Sequence, residues 1–424
     1  MLKKTHFKTF NTIKKGPIYR SLFSNGAGFI FHQAESYKTA HVSLNFLAGS
    51  MFENEKEYGL AHLVEHLLFK DKKNSKIREL EMLGADVNAY TYKENICVEL
   101  TCLGRKLEQI LPAFLTHFLC FHFSEEEFER EKKTVIQELH EDKDDHETQG
   151  IEMLFEKNFS KDIGHPVGGN EKRLRKFTVQ DAQNFYKKHF IPQKMFLTIV
   201  GGEIDKHRLE KIYKNALEKY TSSLQRQPFR SRGYKTKQAI KTFRSTRKRA
   251  MESAIVFYSF DGPKIDADDY YDYVVLDQIL FDGLSSLFFV EFREKSSLIY
   301  GLDSALNSFA KAGSYIMIFN TQNQRVSLLD KKVHKVLNDL ILKPLAEDKI
   351  RHVKTKILDH WESSFDSLIE RTEFLVDNEF YQRHDLTIGE MEKKLNKVSG
   401  HSIQKLLKRI YQKNEYSKLI FLKK

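Results

Sequence analysis

Cysteine is scarce in this chain. There are three in 424 residues, Cys97, Cys102 and Cys120, all in the first third. Their spacing matches neither a zinc knuckle nor a redox pair, and a structural disulfide framework is not expected. The thiols read as buried groups in a reducing compartment. Long apolar runs are missing too. None approaches the roughly twenty residues of a membrane span, so integral membrane association is excluded. Residues 1–10 are basic but lack the apolar core of a secretory signal. They favour lysine over the arginine and serine of a transit peptide, so a cytoplasmic location is expected. No nucleic-acid-binding motif accompanies the formal net charge of +11. The lysines spread along the whole chain, and the charge reads as a solvated basic surface, with no nucleic acid as partner.

What is present is core material and one dense motif. Hydrophobic residues make up 41% of the chain, with 33 phenylalanines, enough for two or three domains with sizeable cores. In Tyr58 to Lys70, Leu60, Leu63, Val64, Leu67 and Leu68 recur at helical spacing. His62 and His66 are four apart and project from one face, one turn apart. Glu65 lies beside them. Two imidazoles and a carboxylate converging on one point suit a zinc ion. The order His-x-x-Glu-His inverts the common zinc-protease pentad.

Along the chain, residues 18–34 read as an extended pair around an Asn25-Gly26 hairpin turn. Ala40 to Ala48 alternates as a strand, and Tyr90 to Thr101 reads as another. Ser124 is a candidate N-cap, with Glu125, Glu126 and Glu127 in the first turn of a long helix. Asp144 to Glu147 reads as a solvated helix end. The stretch 222–249, rich in arginine, lysine, serine and glutamine, reads as an inter-domain connection. After it the order of elements repeats without the His-x-x-Glu-His motif. The fold class expected is α+β, with two homologous halves, each a mostly antiparallel sheet with helices packed on one face. The division expected is a zinc-binding domain over 1–221, the connection over 222–249 and a second domain over 250–424.

The text around the motif resembles the M16 (pitrilysin/insulinase-like) zinc peptidases, over almost the whole chain. That family carries a Gly-Ser-x-x-Glu run before the helix, here Gly49 to Glu53. A Leu-Gly-x-x-x-Asn-Ala-x-Thr strand entry follows it, here Leu83 to Thr91. Its third ligand lies in a later Glu-x6-Glu helix, here Glu131 and Glu138. In the second half, Arg293 to Tyr300 resembles the family's Arg-Glu-x-x-Gly-Leu-x-Tyr signature, with Ser297 standing where glycine is usual.

The resemblance implies a zinc metalloendopeptidase with one zinc per chain, held by His62, His66 and Glu138. Glu65 would act as general base, and Glu131 would orient the site. Asn88, Ala89, Tyr90 and Thr91 would form an edge strand on which an extended peptide adds by main-chain bonds. Arg293 and Tyr300 would hold the substrate backbone and stabilise the oxyanion. A chain of this length is half of the family's closed shell. A homodimer enclosing a chamber is therefore implied, acting on unfolded peptides or on a specific precursor or leader peptide. A heterodimer with a sister M16 subunit is the alternative assembly. The rival function is a non-catalytic core or assembly subunit of the same fold.

Overall fold

The computed structural model describes residues 4–10, 16–70, 75–120, 122–202, 204–220, 242–383, 387–412 and 415–424. The chain forms two compact units. One comprises Met1–Asp144, His165–Gly233 and Ser363–Ile388; the other comprises Asp145–Gly164, Tyr234–Glu362 and Gly389–Lys424.

The first unit holds seven strands: β1 (Lys4–Phe10), β2 (Ile18–Phe23), β3 (Gly28–Gln33), β4 (Thr39–Phe46), β5 (Asp86–Thr91), β6 (Ile96–Leu103) and β7 (Met195–Gly201). They form one sheet in the order β1-β2-β3-β7-β4-β6-β5. Only β3 and β7 run parallel. The β2–β3 turn has Gly26 at φ 92°, where a glycine costs nothing.

Strand alternation sorts side chains to two faces. Phe29, Phe31, Leu197 and Ile199 join the larger core with Leu63, Val64, Leu67, Leu111, Phe114 and Phe118 of the covering helices. Ile30, Phe196 and Val200 point the other way, into a second cluster with Phe365, Leu368, Leu375 and Phe380. Leu368, Leu375 and Phe380 come from Leu368–Phe380, a helix late in the sequence, and Phe365 lies just before it. Arg20 of β2 also grips this helix, donating twice to Glu379 at 2.5 and 2.7 Å.

The stretch Tyr90 to Thr101 is not one strand. It divides into β5 and β6, joined by a tight turn in which Tyr92 N–H donates to Asn95 O at 2.8 Å. Bulky residues continue through the turn, which hides it from a reading based on alternation. Cys97 and Cys102 are buried as expected, but Cys120 is exposed. It follows the last residue of the helix Gly104–Leu119, where the apolar face has ended.

The second unit holds β8 (Arg244–Arg249), β9 (Ala254–Asp261), β10 (Ile299–Ser308), β11 (Gly313–Thr321) and β12 (Ser417–Lys423), in the order β10-β11-β9-β12-β8. One face packs Val256, Tyr258, Phe260, Tyr315 and Phe319 against the helices Tyr270–Phe281 and Val326–Leu342. The helix His146–Asn158 lies on the opposite face. A Cβ at Gly150 would fall 2.1 Å from the Phe257 ring, so only glycine allows that approach. Asn158 bridges two strands, donating to Ser259 and accepting from Ser417, both at 2.8 Å. Asp145 caps the same helix, accepting from the Glu147 and Thr148 amides. Of the basic stretch 222–249, residues 222–241 lie outside the described residues, and its end forms β8, paired parallel to β12.

Candidate metal centre

The helix Leu60–Leu68 carries the motif. Leu60, Ala61, Leu63, Val64, Leu67 and Leu68 are all buried. The helix therefore sits within the core, against β5 and the helices Glu125–Asp142 and Val179–His189, leaving one polar strip. His62 and His66 share that strip, with ring centroids 4.8 Å apart.

The start of this helix has no side-chain cap of its own; Gly59 sits there at φ 95°. Glu53 supplies what is missing. Its side chain is fully buried and accepts from Gly59 N–H at 3.0 Å and Ala61 N–H at 2.6 Å. It meets His165 Nε2 at 3.0 Å, and the His165 ring stacks on Tyr58 at 3.8 Å. Lys93 of the β5–β6 turn donates to the His165 carbonyl. Gly49 lets that turn come close, since a Cβ there would lie 2.4 Å from Asn95 N. Glu53 and His165 thus tie three segments together at the head of the helix. Glu53 appears in the sequence only as the end of the Gly49 to Glu53 run, and nothing local in the sequence pairs it with His165.

The helix Glu125–Asp142 approaches the polar strip from the side. Ser124 forms a capping box with Glu127 that fixes its start. Glu131 and Glu138 are two turns apart on one face. Glu138 Oε2 lies 3.3 Å from His66 Nε2 and 3.8 Å from His62 Nε2. Glu65 Oε2 is 3.9 Å from His62 Nε2. Glu131 is buried on the far side of His66, with Oε2 3.6 Å from Nδ1, and its other oxygen meets Lys70 Nζ at 3.1 Å. Facing Nδ1, it favours the tautomer that leaves the Nε2 lone pair toward Glu138.

Burial, reinforced by the neighbouring His66, lowers His62 to about 4. Its imidazole is neutral at neutral pH and free to donate a lone pair. Burial raises the Glu65 carboxyl, and the charge of Glu138 adds to this, against His66 and a hydrogen bond from Thr91. That bond, Thr91 Oγ1 to Glu65 Oε2 at 3.2 Å, comes from the edge strand β5. Thr91 and the buried Ala89 face the helix. Asn88 and Tyr90 turn outward, where Asn88 donates to the Tyr90 hydroxyl at 2.7 Å.

This set suits a divalent ion. Ligand bonds of about 2.0–2.1 Å in a tetrahedron put neighbouring ligand atoms about 3.3 Å apart. The Glu138 separations of 3.3 and 3.8 Å from the imidazoles are of that size. His62, Glu65 and His66 each offer an atom within 4.8 Å of the others.

In the second unit, Arg293 is exposed on the turn Phe289–Glu294, its guanidinium 5.2 Å from the Phe289 ring centre. Tyr300 on β10 is 57% exposed and its hydroxyl accepts from Gln322 Nε2 at 2.6 Å. No helix among the described residues is long and apolar enough to cross a membrane.

Residues 29–170 match the model of the insulinase family, peptidase family M16, and residues 176–357 match that of the peptidase M16 inactive domain. The zinc protease YmxG of Bacillus subtilis, described as uncharacterized, is 22% identical over 93% of this chain and 96% of its own. A zinc protease of Rickettsia felis, so described as well, is 26% identical over 80% of this chain and 81% of its own. The crystal structure of a protease from Helicobacter pylori superposes with a TM-score of 0.86 at 14% identity, covering 99% of this chain and 100% of that one.

Proposed function

The chain belongs to peptidase family M16, and on that premise we propose that it is a zinc-dependent endopeptidase cutting unfolded peptides. The observation that carries this reading is the meeting of His62, His66 and Glu138 beside an unliganded carboxylate, Glu65. In this reading His62, His66 and Glu138 hold one zinc ion per chain. The ion, when bound, would make water acidic enough to attack at neutral pH and polarise the scissile carbonyl. Glu65 takes the proton of the attacking water and returns it to the leaving amine. Its raised pKa, set first by burial, suits a group that both accepts and gives a proton. Thr91 orients Glu65, and Glu131 holds His66.

The substrate binds as an added strand along the open edge of β5, over Asn88 to Thr91. Arg293 and Tyr300 hold its backbone and donate to the carbonyl oxygen as charge builds there. Two copies enclose the chamber, so that each zinc half works with the Arg293 and Tyr300 of its partner. A cytoplasmic location fits the free thiols.

The test is metal analysis with turnover. Purified protein should carry about one zinc per chain. His62→Ala and Glu138→Gln should lose it. Glu65→Gln should keep the ion and slow hydrolysis of an unstructured peptide by about a hundredfold or more. Normal turnover by Glu65→Gln would remove the general-base assignment. Cleavage of stable folded proteins at the same rate as peptides would remove the chamber.

A further inference from the structure

The backbone that carries Arg293 and Tyr300 is irregular, and one short turn supports it at two points. The turn Phe289–Glu294 is wound one residue wider than an α-helix, with Lys295 N–H bonded to Val290 O at 3.0 Å. Ser297 N–H then bonds to Arg293 O at 3.0 Å, and Ser297 itself sits at φ 45°. That left-handed conformation is costly for any residue with a Cβ. β10 begins two residues later with a bulge: Ile299 faces Thr321 and Gly301 faces Asn320, so Tyr300 is the extra residue without a partner. The bulge turns Tyr300 out of the ladder and exposes it.

Gln322 and Arg325 belong to the connection between β11 and the helix Val326–Leu342. Arg325 Nη1 donates to the carbonyl of Ser297, at the strained residue. Gln322 Nε2 donates to the Tyr300 hydroxyl at 2.6 Å, at the bulge. Since the amide is the donor, the phenol keeps its own proton for another acceptor. Ser296 Oγ, next to the strained residue, is braced in turn by Lys332 Nζ at 2.9 Å.

We propose that Gln322 and Arg325 are positioning residues for substrate binding by Arg293 and Tyr300: Arg325 holds the Ser297 turn that sets Arg293, and Gln322 aims the Tyr300 hydroxyl with its proton free. The inference rests on the reading above that Arg293 and Tyr300 act on substrate. Both supporting bonds are exposed to solvent, so losing either disturbs the fold little and turnover is the sensitive readout.

The experiment uses the full chain with zinc bound. The variants are Gln322→Leu, Gln322→Glu, Arg325→Ala, Ser297→Gly, the pair Ser297→Gly with Arg325→Ala, and Tyr300→Phe. Zinc content, melting temperature, kcat and KM are measured with an unstructured quenched-fluorescence peptide. Zinc content should stay at the wild-type value, and melting temperature should not fall, rising slightly where Ser297→Gly relieves the strain. Gln322→Leu and Gln322→Glu should each lower kcat/KM about tenfold or more, mainly through kcat. The Glu variant is the discriminating one. It fits the same space but reverses the bond, so the phenol O–H donates to the carboxylate and is no longer available to substrate, which a purely structural role would tolerate. Arg325→Ala should fall by a similar factor. Ser297→Gly removes the strain that Arg325 restrains, so the pair should recover most of that loss.

Wild-type turnover by Gln322→Glu, or additive losses in the pair, would overturn the inference. If Tyr300→Phe is slow while both Gln322 variants are fast, only this inference fails. If Tyr300→Phe is itself as fast as wild type, the role given to Tyr300 fails and this inference fails with it.

Discussion

Removing the Glu53 carboxylate should loosen the head of the helix Leu60–Leu68 before it affects anything else. The Glu53 side chain has no solvent exposure and accepts from two backbone amides, at 3.0 and 2.6 Å, and meets His165 at 3.0 Å. Burial raises its pKa, opposed by the His165 and backbone bonds, so the carboxylate depends on those donors. In Glu53→Ala the Gly59 and Ala61 amides are buried without acceptors. Each orphaned donor costs about 1–3 kcal/mol, partly offset by no longer desolvating a carboxylate. A net local loss of about 2–4 kcal/mol follows, roughly a 30- to 1000-fold rise in local opening. Glu53→Gln keeps one acceptor oxygen and should lose about half as much. The single tryptophan, Trp361, lies in the other unit and cannot report this change. Hydrogen exchange can, read on peptides spanning residues 54–68. Exchange at Gly59 and Ala61 should accelerate by the stated factor in Glu53→Ala, and zinc affinity should fall with it. Unchanged protection at Ala61 would show that the helix start is held by its packing alone, refuting the role given to Glu53.

Three further outcomes are expected. Gly169→Ala should destabilise the same helix head and lower zinc content, because Gly169 has φ 71° and an added Cβ would fall 2.3 Å from Tyr58 O; retained zinc would show that the loop yields. Asp330 is raised by burial, but bonds from His334, Lys418 and Tyr258 outweigh this and hold it well below the usual carboxylate range. Its folded pKa is depressed, so its stabilisation is present above about pH 4 and fades as pH falls further. Asp330→Asn should therefore flatten the acid side of the Trp361 unfolding profile, and an unchanged slope would count against it. Finally, mixing Glu65→Gln with the double variant Arg293→Ala, Tyr300→Phe should restore activity to roughly a quarter of wild type, given two-fold assembly with random exchange. Activity equal only to the sum of the two residual rates, with exchange confirmed, would place Arg293 and Tyr300 on the same site as their own chain's Glu65.

Local pattern was enough to place His62, Glu65 and His66 on one helix face, because that relation depends only on residues three and four apart. The same holds for the Asn25-Gly26 hairpin and the Ser124 cap, which close within a few positions. Alternation was a weaker guide: it ran through the turn between β5 and β6 and concealed it. Pairings across long sequence distances were beyond local pattern. Glu53 meets His165 across 112 positions, and Thr91 meets Glu65 because the hairpin register turns it inward. Ser297 could be seen as a departure from glycine, but only its φ of 45° shows what the departure requires. The helices His146–Asn158 and Leu368–Phe380 each belong to the unit opposite to their place in the sequence. Periodicity tells which face of a helix is apolar. Which sheet buries that face depends on shape and close approach, such as the glycine at position 150 against the Phe257 ring, and these exist only once the chain has folded.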